Sequence, residues 1–275
     1  MSIEPDVFAN PDELGSRAAR MVADGLVAAA TAGRPYVLGC PGGRSASSTY
    51  AALAGLVRTE RLPLEHLVIV MMDDYLVPDA EGVLVHERAH APHSCIRFAR
   101  EEIVRPLDEA AASAGSTRGV RPEHLWFPDP AEPAAYDGRI RDIGGIDLFL
   151  LASGSSDGHI AFNPAGAARD SRTRVVELPD STRRDNLLTF LSFGGDLDRV
   201  PRHGVTVGID TIAASSASVV MLVQGREKGR AAAHLLAADA YDPQWPATVL
   251  VECAQPHLFL DADALAAAAV PAPAR

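Results

Sequence analysis

The sequence predicts an α/β protein: a doubly wound, mainly parallel sheet with helices on both faces. Three observations carry this. Residues 67–72, 147–152 and 218–223 are almost unbroken apolar runs, as strands buried on both faces require. Helical periodicity occupies 133–143 and 228–238, between such runs. Turn-forming residues follow the carboxyl ends of several runs. Strands alternating with helices make parallel crossover units. The 275 residues are read as a single unit, long enough to bury most of their apolar surface without cross-links.

The elements follow in order. Asn10-Pro11-Asp12-Glu13 starts a helix, with Asn10 as the cap, Pro11 in the first turn and Glu13 completing a capping box. Leu14, Ala18, Met21, Val22, Leu26 and Val27 keep helical spacing until Gly33-Arg34-Pro35 breaks it. Residues 36–39 form a short strand that enters the turn Cys40-Pro41-Gly42-Gly43-Arg44-Ser45, and a helix follows through Tyr50, Leu53 and Leu56. Further strands are expected at 67–72, 147–152, 205–208, 218–223 and 248–252. The Ala/Pro-rich tail from Ala266 is expected to fray.

Composition narrows the function. Hydrophobic residues make up 47% and charged residues 22%, a globular balance, and the net charge of −11 speaks against nucleic-acid binding. No stretch reaches the apolar length that crosses a bilayer. The N-terminus is acidic, and Cys40, Cys95 and Cys253 are scattered without a CxxC pair, which fits a reducing, cytoplasmic setting. An acidic chain that binds an anion needs a local site.

Ligands of open parallel sheets sit beyond the carboxyl ends of the strands. Three segments fall there. Gly42, Gly43, Arg44 and Ser45 make a Gly-rich turn before a helix, suited to an anion or else simply a tight turn. Asp73 and Asp74 stand at the mouth of an apolar strand, as a general base or as a cap. Asp157 and His159 share a loop that returns at once to apolar residues, suited to proton transfer or else structural. His86, His90 and His93 have helical ligand spacing, but Pro92 argues for a polar surface segment rather than a metal site. Arg172, Arg174, Arg183 and Arg184 read as a solvated basic face that is also able to hold a phosphate.

Together these segments resemble the glucosamine-6-phosphate deaminase/isomerase family, related to the 6-phosphogluconolactonases, over about 36–252. The most specific stretch is Asp157-Gly158-His159-Ile160-Ala161-Phe162-Asn163, with Met72-Asp73-Asp74-Tyr75 before it and Gly225-Arg226-Glu227-Lys228 after. Charge and hydropathy already lead to the expectation of no nucleic-acid or membrane partner. The resemblance implies a modified doubly wound (Rossmann-like) fold, a small-molecule sugar-phosphate substrate, no metal or organic cofactor, and a homo-oligomer. It implies that Asp73 moves the C2 proton and that Asp157 and His159 assist ring opening. Gly42, Gly43, Arg44, Ser45, Asp74, Arg174 and Lys228 are the implied binding set.

The chain departs from the family pattern at four places. Pro164 stands where the family carries a Glu that orients the His, Arg44 where it usually has Gly, Leu188 where it has a phosphate-binding Arg, and Val176 where many members have an allosteric Lys. The expected default is deaminating isomerisation of an amino-sugar 6-phosphate, weakened by the missing Glu. Dehydration of the N-acetylated sugar, lactone hydrolysis and a non-catalytic sugar-phosphate sensor follow as alternatives. Arg44 is expected to replace the charge lost at Leu188.

Overall fold

The apolar runs lie side by side in a computed structural model that describes residues 3–269, apart from the side chain of Leu188. Strands β1 (Asp6–Phe8), β2 (Tyr36–Cys40), β3 (Leu67–Met71), β6 (Leu125–Trp126), β7 (Leu148–Leu151), β10 (Val219–Val223) and β11 (Pro256–Asp261) form one parallel sheet in the order β1-β11-β10-β7-β2-β3-β6. Every residue of β2, β3, β7 and β10 is buried. Alternate residues of one strand feed opposite layers: Leu67, Ile69 and Met71 join one core, while Val68 and Val70 join the other. That division explains why these runs show no polar alternation.

Helices α1 (Pro11–Thr31), α2 (Ser47–Glu60), α3 (Cys95–Phe98) and α4 (Arg105–Ser113) cover the first face, through Leu14, Leu26, Leu53, Phe98 and Leu107. Helices α5 (Pro133–Asp142), α7 (Ile209–Ser215), α8 (Gly229–Ala237) and α9 (Ala262–Ala268) cover the second, through Ile140, Ile212, Leu235 and Ala264. The start of α1 is as the sequence predicts: Asn10 Oδ1 accepts a bond from the Glu13 amide at 2.9 Å, and Pro11 occupies the first turn. The tail expected to fray is helical to Ala268, and residues beyond 269 lie outside the described chain.

A second sheet was not foreseen. Strands β4 (Asp73–Pro78), β5 (Leu84–His86), β8 (Arg174–Glu177) and β9 (His203–Thr206) pair antiparallel in the order β5-β4-β9-β8. Asp73-Asp74-Tyr75, expected as a loop after the 67–72 strand, therefore opens a strand, and the 205–208 run belongs partly to this sheet. Helix α6 (Asp180–Thr189) follows β8, and Leu187 of α6 and Val176 of β8 pack against a small core of Tyr75, Phe162, Leu178, Phe193 and Val200.

The strand expected at 248–252 is a 3-10 helix, Pro246–Glu252. A short buried apolar run has no periodicity that separates strand from helix. Pro246 in the first turn and the Thr248 hydroxyl, which bonds Trp245 O at 2.8 Å, turn the chain. The partner of β10 is instead β11.

The sequence order runs outward from β2 to β3 on one side and from β7 to β10 to β11 on the other. The order thus reverses between β2 and β7. Crevices at such a reversal, beyond the carboxyl ends, are where doubly wound sheets bind ligands.

Candidate functional site

A cleft opens at that place, and its residues come from four strand ends. The β2 end contributes Gly42, Gly43, Arg44 and Ser45, the β3 end Met72 and Asp73, the β7 end Ser153 and His159, and the turn after β10 Lys228. An outer lobe, reached past Arg44, Ser45 and Lys228, adds Asp185, Gln224 and Glu227. Helix α6 lies across both lobes with Asn186 and Thr189.

The turn after β2 needs its glycine. Gly43 has φ +84°, and a Cβ there would lie 2.7 Å from Thr189 Cγ2. Arg44 stands at the mouth with its side chain 58% exposed and its guanidinium 3.9 Å from the Glu227 carboxylate. It is thus a rim cation with a surface partner, which limits the replacement role expected of it. The side chain of Leu188 lies outside the described residues. Lys228 is more enclosed: its Nζ donates to Ser153 O at 2.6 Å, and burial together with the Arg44 charge pulls its pKa down.

Asp73 is 6% exposed, and its carboxyl is pushed up to about 7. Burial is the main cause, and the Asp74 charge adds to it. A bond from the Cys95 thiol and the nearby His159 act the other way. A carboxylate so poised is half ionised near neutral pH, as a general base needs.

The 157–163 run is held from both sides. Phe162 N donates to the Thr206 hydroxyl at 3.0 Å, and Asn163 Nδ2 donates to Val207 O at 2.8 Å, which ties the run to β9. Gly158 sits at φ +65° under the Trp245 ring, and Ala161 takes φ +49°, a left-handed conformation that a non-glycine residue adopts only when its surroundings enforce it. Asp157 Oδ1 meets His159 Nδ1 at 2.7 Å, and Asp157 Oδ2 accepts from the Thr182 hydroxyl at 2.7 Å. Burial opposes ionisation of Asp157, but these bonds outweigh it and hold the carboxyl below the ordinary range. With Nδ1 turned to Asp157, Nε2 is the ring atom left for a substrate.

A second carboxylate flanks the imidazole. Asp185 Oδ2, from α6, lies 4.0 Å from His159 Nδ1 and accepts from Ser156 N at 2.9 Å. With the family Glu absent at Pro164, the carboxylates beside His159 are Asp157, which bonds it, and Asp185 at the longer distance. Asp157, His159 and Asp185 are also the one group among the described residues with metal-ligand spacing, but Asp157 and His159 are bonded to each other.

Two expected binding residues do not reach the cleft. Asp74 is fully buried, accepting from Tyr75 N and Cys95 N and pairing with His86 Nδ1 at 2.9 Å. Arg174 is half-buried in β8 and donates to Asn163 Oδ1 at 2.8 Å. Arg183, expected on a solvated face, is 1% exposed, because Asp180 and the carbonyls of Leu197 and Val200 take its guanidinium. His86 and His93 bond to Asp74 and Glu87 respectively. Sequence reasoning missed Cys95, Asp185 and Asn186. The buried Nδ2 of Asn186 has no hydrogen-bond partner among the described residues. No local motif marks any of the three.

Fold and cleft together define a class: a modified doubly wound α/β protein whose strand ends gather a buried carboxyl, a carboxylate-held histidine and cations around one crevice. The chain belongs to the family described as glucosamine-6-phosphate isomerases/6-phosphogluconolactonase, which it matches over residues 9–259. It is 34% identical to a glucosamine-6-phosphate deaminase of Mycolicibacterium smegmatis over 265 residues, covering 96% of this chain and 92% of that one. It is 30% identical to a glucosamine-6-phosphate isomerase of Candida albicans, covering 93% and 94%. A solved structure described as a monomeric glucosamine-6-phosphate deaminase superposes with TM-score 0.81 at 26% identity, covering 96% of this chain and 100% of that one. A 6-phosphogluconolactonase of Thermotoga maritima, at TM-score 0.65 and 16% identity over 94% of this chain and 100% of that one, shares the fold.

Proposed function

We propose that this protein converts glucosamine 6-phosphate and water to fructose 6-phosphate and ammonia. The observation that carries the reading is Asp73, a buried carboxyl pushed up to about 7, lining one cleft with His159 and Lys228. The substrate phosphate lies against the Gly42–Ser45 turn and Lys228, where backbone N–H groups and an enclosed cation meet an anion. His159, oriented by Asp157 and flanked by Asp185, moves the O1 proton to the ring oxygen through Nε2 and opens the ring. Asp73 takes the C2 proton of the open chain and delivers it to C1. With O1 protonated to a hydroxyl and a proton lost from the amine, this transfer leaves a C2=N imine. Water adds across it at C2, and the C2–N bond breaks to release ammonia and leave the C2 ketone.

The test is a product assay on the purified protein with glucosamine 6-phosphate, its N-acetyl form and 6-phosphogluconolactone. Ammonia and fructose 6-phosphate are expected in equal amounts from the first. An absence of ammonia from it, with turnover of either other compound or of none, overturns the proposal.

A further inference from the structure

The two adjacent acids at the β3–β4 junction point to different tasks. Asp73 lines the cleft, whereas Asp74 is fully buried and turned away from it. Asp74 Oδ1 accepts from the backbone N of Cys95 at 2.9 Å, and Oδ2 is anchored by His86 Nδ1. Cys95 opens α3, directly after its capping residue Ser94. Its Sγ then comes back to Asp73 Oδ1 at 3.4 Å. The chain of contacts is closed: Asp74 holds the Cys95 backbone, and Cys95 reaches the carboxylate of the neighbouring residue.

We propose that Cys95 is a positioning residue for the base, its thiol donating to Asp73 Oδ1 and presenting Oδ2 to the substrate. The inference rests on the reading of Asp73 as the base. Among the described residues Cys95 is the only side chain that donates to Asp73, and Oδ2 receives no protein donor. Burial and the charges of Asp73 and Asp74 push the thiol well up, so sulfur stays protonated and is a donor rather than a nucleophile. A thiol is a weak donor. It fixes the carboxylate without stabilising its anion as strongly as several N–H groups would, so basicity is kept. The other ionisable groups facing Asp73 are Asp74, Tyr50, Tyr75, Tyr136 and His159, with Arg44 and Lys228 across the cleft.

The test compares wild type, Cys95→Ala and Cys95→Ser. Loss of the donor disfavours the ionised base, so the rising limb of kcat/KM against pH moves to higher pH in Cys95→Ala. Below pH ~7 the loss is roughly 3- to 10-fold, and it shrinks at high pH where the base is ionised in both. Cys95→Ser, which keeps a donor, lies nearer wild type. A pH-independent loss, superimposable profiles, or serine no better than alanine overturns the proposal. The carboxyl resonance of Asp73 in 13C-aspartate-labelled protein, assigned by its disappearance in Asp73→Asn, titrates without substrate. It must move up in Cys95→Ala even if glucosamine 6-phosphate proves not to be turned over, so failure of the functional reading is separable from failure of this one.

Discussion

Replacing Asp73 by Asn should abolish turnover and at the same time stabilise the protein. The substitution is isosteric at a 6% exposed site, and the amide oxygen still accepts from the Cys95 thiol, so the cleft keeps its shape. A general base supplies ~10²–10⁴-fold, which sets the expected loss in kcat, with binding changed at most a few-fold. The stability gain follows from linkage. The carboxyl rises from its ordinary value of 3.8 to about 7 in the fold, so ionisation works against the native state. That group's contribution to stability is complete below pH ~4 and falls as pH rises, levelling off above about 7. The full difference corresponds to at most about 4 kcal/mol, and Asn removes it. At about 2–4 °C per kcal/mol, the variant should melt several degrees above wild type at pH 8 and level with it at pH 4. Paired thermal melts across this range, beside steady-state assays, read both effects. Turnover within tenfold of wild type refutes the base assignment. Equal melting at pH 8 refutes the buried, destabilised carboxylate.

In the wild type, kcat/KM should rise with pH through a limb near 7 as Asp73 ionises, and a profile flat from pH 5 to 8 contradicts the assignment. Gly158→Ala should cost about 1–3 kcal/mol and lower the melting temperature, since the residue has φ +65° and the added methyl would lie 2.3 Å from the Trp245 ring; an unchanged melt would show that the loop is not pinned there. Lys228→Ala should raise KM roughly 10- to 100-fold with little change in kcat, because an enclosed cation contributes through charge-assisted bonds to the phosphate. Arg44→Ala should raise KM only a few-fold, an effect that fades in high salt, as its exposure and its pairing with Glu227 imply; equal losses for the two variants would put Arg44 in the phosphate clamp after all.

By itself the sequence determined the parallel sheet, because a strand buried on both faces has to be apolar at every position, and that signature is local. It also located the turns after β2 and β7 and the end of the β3 run, since turn chemistry and the end of an apolar run are read within a few residues. From these came Asp73, Asp157 and His159, and from the family resemblance Lys228, all placed in or against one cleft by the fold. Only the tertiary structure decided which way neighbouring side chains face. Asp73 and Asp74 are adjacent in sequence, yet strand alternation sends one into the cleft and the other inward to the Cys95 backbone. It also decided that α6 crosses the cleft, bringing Asp185 and Asn186 to His159 and the substrate space from a segment with no motif. Arg183 and the 248–252 run mislead for the same reason. Whether an arginine finds carbonyl partners, or an apolar run finds a ladder to join, depends on residues far away in the chain, and no local pattern encodes where those residues come to rest.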